Sequence, residues 1–238
     1  MTRHPLIFSA VLALSALARG APAGAGDAKP APPDAALAAQ LDDIDRRAGR
    51  AKDLSGRFTQ EKHTALLKKP LASAGRIRMK GAVVRWDTES PEPGVLYSDG
   101  REIRMYYPKQ ATVEVYPIDR RLGDLAASPL PRLDILRRHF RIERGAEAPR
   151  DDKTVELKLT PTDESLAQHV DEVRVTLDVA AACVTKVEML DADGDRTLIR
   201  FTDLRTNTGM KEGDLDLKLP AGTKVSRPLE GKQGGAKK

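Results

Sequence analysis

Residues 71–107 read LASAGRIRMKGAVVRWDTESPEPGVLYSDGREIRMYY, and their period is two. Ile77 and Met79 alternate with Arg76, Arg78 and Lys80; Ile103, Met105 and Tyr107 alternate with Glu102, Arg104 and Tyr106. Successive side chains on an extended chain point to opposite sides, so each run has one apolar face and one polar face. Ser98-Asp99-Gly100, between the runs, supplies the residues of a tight turn. This is the pattern of antiparallel strands with one face buried and one face wet.

The same pattern extends downstream. Val113 and Val115 alternate with Thr112 and Glu114, and Val155, Leu157 and Leu159 with Thr154, Glu156 and Lys158. Val173, Val175, Leu177 and Val179 alternate with Arg174, Thr176 and Asp178, and Leu215, Leu217 and Leu219 with Asp216 and Lys218. Turn residues stand at 191–195 (DADGD) and 220–222 (PAG). Two stretches break the period. Upstream, Asp34 is a good N-cap for Leu37, Leu41, Ile44 and Ala48, which predicts an amphipathic helix over 34–49 ending near Gly49. In the middle, Pro117, Pro129 and Pro131 precede Leu133, Leu136 and Phe140, which predicts a loop and a short helix over 131–139.

A large antiparallel sheet with one apolar face needs a cover. Two short helices cannot cover ten or so flat strands, so the sheet must curl on itself with the helices over its open side. The expected fold is α+β and mainly antiparallel β: a strongly curved, open (unclosed) β-barrel whose concave apolar face is covered by short helices. That face holds either a packed core or a cavity, and the pattern alone does not choose between them.

Composition narrows the function. The chain has 238 residues, 40 Lys+Arg, 35 Asp+Glu and one cysteine, Cys183. A charged fraction of 32% excludes a multi-span membrane protein, and a single thiol excludes an intramolecular disulfide framework or a cysteine zinc site. Five of the basic residues (Arg3, Arg19, Lys232, Lys237 and Lys238) lie in the two ends, which carry no acid, and the rest match the acidic count. The pI of 9.3 therefore reports the ends and gives no reason to expect a nucleic-acid partner. Residues 1–25 combine Arg3 and His4, the apolar run LIFSAVLALSALA and Ala-x-Ala sites, the three parts of a secretory signal. The expected layout is a signal peptide at 1–25, a linker at 26–33, one domain over 34–225 and a basic tail at 226–238, released into an extracytoplasmic compartment.

Chemistry-bearing motifs are sparse. His63, His139 and His169 are far apart and in no zinc spacing, so no metal is expected. In the DADGD turn, glycine falls at the fourth place of a calcium loop instead of the sixth, and Thr202 stands where the closing Glu belongs, so a hairpin turn is the better reading. Cys183 follows Ala181 and Ala182 and reads as a small buried hydrophobe. There is no nucleophile elbow, P-loop or dinucleotide fingerprint, so neither an enzyme nor a cofactor is expected. Arg85, Trp86, Tyr97, Tyr106 and Tyr107 gather the aromatics of a candidate contact region.

The ordered set of strands resembles one family. Leu54-Ser55-Gly56-Arg57-Phe58-Thr59-Gln60 is similar to the apolar-x-x-x-Phe-x-Gln first strand of LolA, the periplasmic outer-membrane lipoprotein carrier, and Gly75-Arg76-Ile77-Arg78-Met79 to its second strand. Val84-Arg85-Trp86 with Pro91-Glu92-Pro93, Asp99-Gly100 through Tyr107-Pro108, and Leu215 through Val225 resemble its third strand, its hairpin and its closing segment. Order and spacing agree from about 37 to 225. The resemblance implies a periplasmic monomer whose apolar cavity shelters the acyl chains of lipoproteins, received from an inner-membrane ABC exporter and passed to an outer-membrane acceptor. Acyl chains offer area and no polar handles, at about 0.8 kcal/mol per buried methylene, so no catalytic group is required. On this reading the cavity and lid residues are Leu37, Leu41, Ile44, Phe58, Ile77, Met79, Trp86, Met105, Tyr107, Val113, Val115, Leu133 and Leu136. The family's Arg-Pro after the second strand, which helps to hold its lid, is here Gly81-Ala82, and Arg78 and Arg85 are the candidates to replace it. The same fold also serves acceptor lipoproteins, carriers of other lipids and envelope stress sensors. The lack of a lipidation cysteine argues against an acceptor, and a protein-binding envelope module with a filled core is the alternative.

Overall fold

A computed structural model describes residues 34–117, 128–145 and 153–228. The expected leader, the linker and the end of the tail lie outside the described residues. Helix α1 (Ala35–Ala48) starts where the pattern places it: Asp34 accepts hydrogen bonds from the amides of Ala36 (3.0 Å) and Leu37 (3.2 Å). Its apolar stripe, Leu37, Leu41, Ile44 and Ala48, is buried.

Six strands follow: β1 (Asp53–His63), β2 (Leu71–Lys80), β3 (Val83–Ser90), β4 (Gly94–Ser98), β5 (Glu102–Tyr107) and β6 (Thr112–Pro117). Helix α2 (Leu133–His139) precedes β7 (Phe140–Arg144) and β8 (Thr154–Pro161), and the one-turn helix α3 (Glu164–Ala167) precedes β9 (Val170–Asp178), β10 (Cys183–Asp191) and β11 (Arg196–Thr206). A short β12 (Lys224–Ser226) comes last. All belong to one sheet in the order β12-β6-β5-β4-β3-β2-β1-β11-β10-β9-β8-β7. Two meanders, β1–β6 and β7–β11, are joined where β1 pairs antiparallel with β11. Every pair is antiparallel except β12 on β6, and the end strands β12 and β7 do not meet. The sheet is therefore the expected unclosed half-barrel.

Register shifts between Ser55 and Arg57, Ala74 and Gly75, and Val184 and Lys186 bend it. At Gly75 the approach of β3 is so close that a Cβ would lie 2.0 Å from the Asp87 carbonyl oxygen, so only glycine fits. The pleat sets the two faces by rows. One concave row runs Ile77–Trp86–Leu96–Met105 across β2–β5, each residue at most 2% exposed. A second runs Leu157–Val175–Val187–Ile199 across β8–β11.

Two expectations are corrected. The alternation at 215–219 does not form a strand. The segment makes a 3-10 turn over Glu212–Leu215 and then crosses the convex face. Its carbonyls are satisfied by side chains instead of a ladder: Lys80 Nζ donates to Met210 O (2.5 Å), Arg78 to Asp214 O (3.1 Å) and Arg85 to Asp216 O (2.6 Å). Val113 and Val115 are the second correction. Val113 is opposite Tyr106 in the ladder, so both valines share its convex side and form a separate cluster with Tyr106, Val95 and Leu217 under the crossing segment.

Asp53 pins the start of that segment. Its carboxylate accepts from the Thr208 hydroxyl (2.7 Å) and from the amides of Thr208 (2.7 Å), Gly209 (3.1 Å) and Met210 (3.2 Å). The Thr208 hydroxyl first, and then these amides, outweigh burial and hold the carboxyl below its ordinary 3.8. A depressed carboxyl contributes stability that is present above its unfolded-state value and is lost as pH falls through the folded value. Acidification below about pH 4 is thus expected to free residues 207–216, and Asp53→Ala to free them at neutral pH. Limited proteolysis reads both as a several-fold faster cut, by trypsin after the exposed Lys211 for the variant at neutral pH and by the acid protease pepsin near Leu215 for the acidified wild type; an unchanged cut rate would contradict the pinning role.

Candidate functional site: an apolar cavity beneath α2

The two halves of the concave face differ. Over β2–β5 its central row, Ile77–Trp86–Leu96–Met105, is filled. Over β8–β11, Val173, Val187, Met189 and Ile199 remain partly exposed although they face inward. Above them is an apolar cavity of about 110 Å³. Its floor is Leu159, Val173, Val175, Val187, Met189, Ile199 and Phe201. Leu136 of α2, Phe140 of β7, and Leu130 and Pro131 form its roof, and Leu166 and Val170 are also part of its lining. Thr197 is its inward polar residue on β11. It is 2% exposed, and its hydroxyl has no hydrogen-bond partner among the described residues.

A second, more polar cleft of about 490 Å³ opens beside the end of α1, lined by Asp45, Lys52, Asp53, Met79, Ser98 and Arg132 among others. Ser128, Leu130, Pro131 and Arg132 line both spaces, so this strap divides the apolar cavity from the polar cleft. The strap is held at several points. The Ser128 hydroxyl donates to Met79 Sδ (3.0 Å), Val184 N donates to Pro129 O (2.7 Å), and Leu133 N donates to Asp45 of α1 (3.3 Å).

The lid ties are not the expected ones. Arg78 and Arg85 lie on the convex face, where both bind Asp87 (2.7 and 2.8 Å) and the crossing segment. Burial alone would raise the Asp87 carboxyl, but these two guanidinium groups more than offset it and hold it low. Neither arginine replaces the family's lid residue. Instead, α1 supplies the ties itself. Asp42 pairs with Arg137 of α2 (2.6 Å), and Arg47 donates to Val179 O (2.6 Å) and Ala180 O (3.1 Å) at the β9–β10 turn.

Of the residues expected at the site, Leu37, Leu41, Ile44, Phe58, Ile77, Trp86, Met105, Tyr107 and Leu133 belong to the packed core. Met79 lines the cleft and Leu136 lines the cavity. Most of the cavity comes from β9, β10 and β11, none of whose residues is among those expected at the site. Val173 and Val175 were visible there as an inward face. In β10 the shift between Val184 and Lys186 breaks the period, and in β11 Leu198 sits between Thr197 and Ile199 and hides the alternation.

None of the other candidate groups lines the cavity or the cleft. Cys183 is 1% exposed, burial pushes its thiol up to about 11, and Sγ donates to Ala181 O. Asp191, Asp193 and Asp195 converge within 4.8 Å, and the Lys62 ammonium lies 3.4 Å from Asp191 and 3.2 Å from Asp195. Among the described residues no helix is long and apolar enough to cross a membrane.

The chain is thus an unclosed antiparallel half-barrel with an apolar cavity under a short helix. Residues 49–214 match the family described as "Outer membrane lipoprotein carrier protein LolA", and the chain belongs to that family. An outer-membrane lipoprotein carrier protein from Azotobacter vinelandii is 26% identical over 74% of this chain and 82% of its own length. One from Cupriavidus taiwanensis is 25% identical over 94% of this chain and 99% of its own. Among solved structures, an uncharacterized conserved protein from Thermus thermophilus superposes with a TM-score of 0.52 at 12% identity, covering 81% of this chain and 99% of that one. MucB superposes at 0.50 with 19% identity, over 82% and 67%. These two share the fold.

Proposed function

We propose that this protein is a periplasmic carrier. It shelters the acyl chains of a lipoprotein, or of another lipid, in the cavity over β8–β11, between an inner-membrane ABC exporter as donor and an outer-membrane acceptor. One observation carries the reading: Val173, Val187 and Ile199 face inward yet stay partly exposed, on a sheet whose other concave row is sealed. Apolar surface left open beneath a cover is surface for an apolar ligand. At ~30 Å³ per water-sized group, 110 Å³ admits about four methylenes. A full acyl chain is several times longer, so α2 and the 128–132 strap must swing away on loading. The Asp42–Arg137 pair that ties α2 to α1 is half exposed, and such pairs contribute at most about 1 kcal/mol. The strap's ties to Met79, Val184 and Asp45 and the buried Leu133 hold the cover beyond this pair, so loading requires that they part as well.

The filled row on β2–β5 favours the second reading, a protein-binding envelope module without lipid cargo. One experiment separates the two. Trp86 is the only tryptophan and contacts Phe201, a lining residue, at 5.6 Å between ring centres. Native mass spectrometry of protein recovered from the periplasm is expected to show a co-purifying acylated species, and a brominated fatty acid is expected to quench Trp86. A clean apo mass with no quenching would overturn the carrier reading in favour of the second.

A further inference from the structure

Lys62 pairs with Leu71 at the end of the β1–β2 ladder, so residues 63–70 form the hairpin tip. The tip reads His63-Thr64-Ala65-Leu66-Leu67-Lys68-Lys69-Pro70. Leu66 is 91% exposed and Leu67 44%, and Lys68 and Lys69 are exposed beside them. The leucines are presented on a built turn, because Leu66 N donates to the Thr64 hydroxyl (3.2 Å) and Leu67 N to the Thr64 carbonyl (3.2 Å). The turn stands on a fully paired two-strand stem.

A lone exposed leucine needs no explanation. Two in a row at an apex, followed by two lysines, are a different matter. Leucine partitions into the boundary between headgroups and acyl chains, and ammonium groups are drawn to phosphates at a negative surface. The nearby acids sit at the base of the hairpin: Glu61 lies 3.9 Å from Arg200, and Asp191 and Asp195 share Lys62, with Asp193 beside them. The apex therefore presents two leucines with two positive charges. We infer that the 63–70 tip is a membrane-contact element that seats on an anionic phospholipid surface. The inference does not rest on the carrier reading, since a module with a filled core could dock through the same tip.

Flotation with vesicles of phosphatidylcholine plus phosphatidylglycerol, and of phosphatidylcholine alone, tests it with the protein recovered from an exporting host. The wild type is expected to float with the anionic vesicles only and to be released by high salt. Lys68→Ser/Lys69→Ser is expected to lower the partition about 30-fold, since each lysine at such a surface is worth about a factor of five. Leu66→Ser/Leu67→Ser is expected to lower it at least several-fold. Melting temperatures should not move, because the tip adds nothing to the core. Three outcomes overturn the inference. The wild type fails to float. Both variants float as the wild type does, which would assign binding to other cations such as Lys232, Lys237 and Lys238. Or tip variants lose an envelope protein partner while vesicle binding is unchanged, which would make the tip a protein-docking site.

Discussion

Trp86→Ala is expected to destabilise the protein by about 3–5 kcal/mol, the usual cost of emptying a large aromatic site in a core. For a chain of this size that lowers the melting temperature by roughly 10 °C. The reason is the position of the ring. Trp86 on β3 is 2% exposed and contacts Phe58 on β1 at 4.6 Å and Phe201 on β11 at 5.6 Å, both in tilted or edge-on geometry. Such aromatic pairs add about 0.5–1.5 kcal/mol each beyond the area they bury. The β1–β11 pairing is also the seam between the two meanders. Loss of the indole removes a side chain that packs across that seam. Denaturant unfolding checks the value; a loss below about 1 kcal/mol would show that the core closes without the ring.

The seam explains what could be read from the residues and what could not. Alternation at 76–80, 102–107, 154–159 and 173–179 predicts strands, and strands form there, because a half-buried strand has a period of two whatever its partners are. The Asp34 cap and the Leu37–Leu41–Ile44 spacing predict α1 because capping and helical period are local. The faces of Val113 and Val115 were not legible. Both sides of β6 are buried, one by the barrel interior and one by a segment far downstream in the chain, and alternation cannot say which apolar side is the interior. Leu215, Leu217 and Leu219 mislead for a related reason. Their alternation records contact of an irregular segment with a convex surface, while Arg78, Arg85 and Lys80 take the carbonyls that a strand would pair. The site is harder still to read. A packed core and an open cavity use the same residue types, and the difference is a volume left unfilled by residues distant in sequence. Phe201 illustrates this, with one neighbour in the packed half and the cavity on its other side.

That difference can be turned into an experiment on Val187. It sits mid-row between Val175 and Ile199 on the cavity floor and is only partly buried. A cavity of about 150 Å³ holds a benzene ring, so the phenyl of Val187→Phe occupies most of 110 Å³. Places for three to four methylenes are lost, about 3 kcal/mol at 0.8 kcal/mol each, so affinity for a fatty acid is expected to fall on the order of 100-fold. Stability should change little, because new apolar contacts offset any overpacking of about 1–3 kcal/mol. Trp86 stays the sole tryptophan, so brominated-acid quenching reads the loss directly. Ile77→Val is the paired control. It removes a methyl from a fully buried site in the filled half and is expected to cost about 0.5–1.5 kcal/mol of stability with no change in quenching. Binding lost in the first variant and stability lost in the second assign the two halves of one concave face to different tasks. Equal loss of binding in both would mean that the ligand reads the integrity of the barrel and not this cavity.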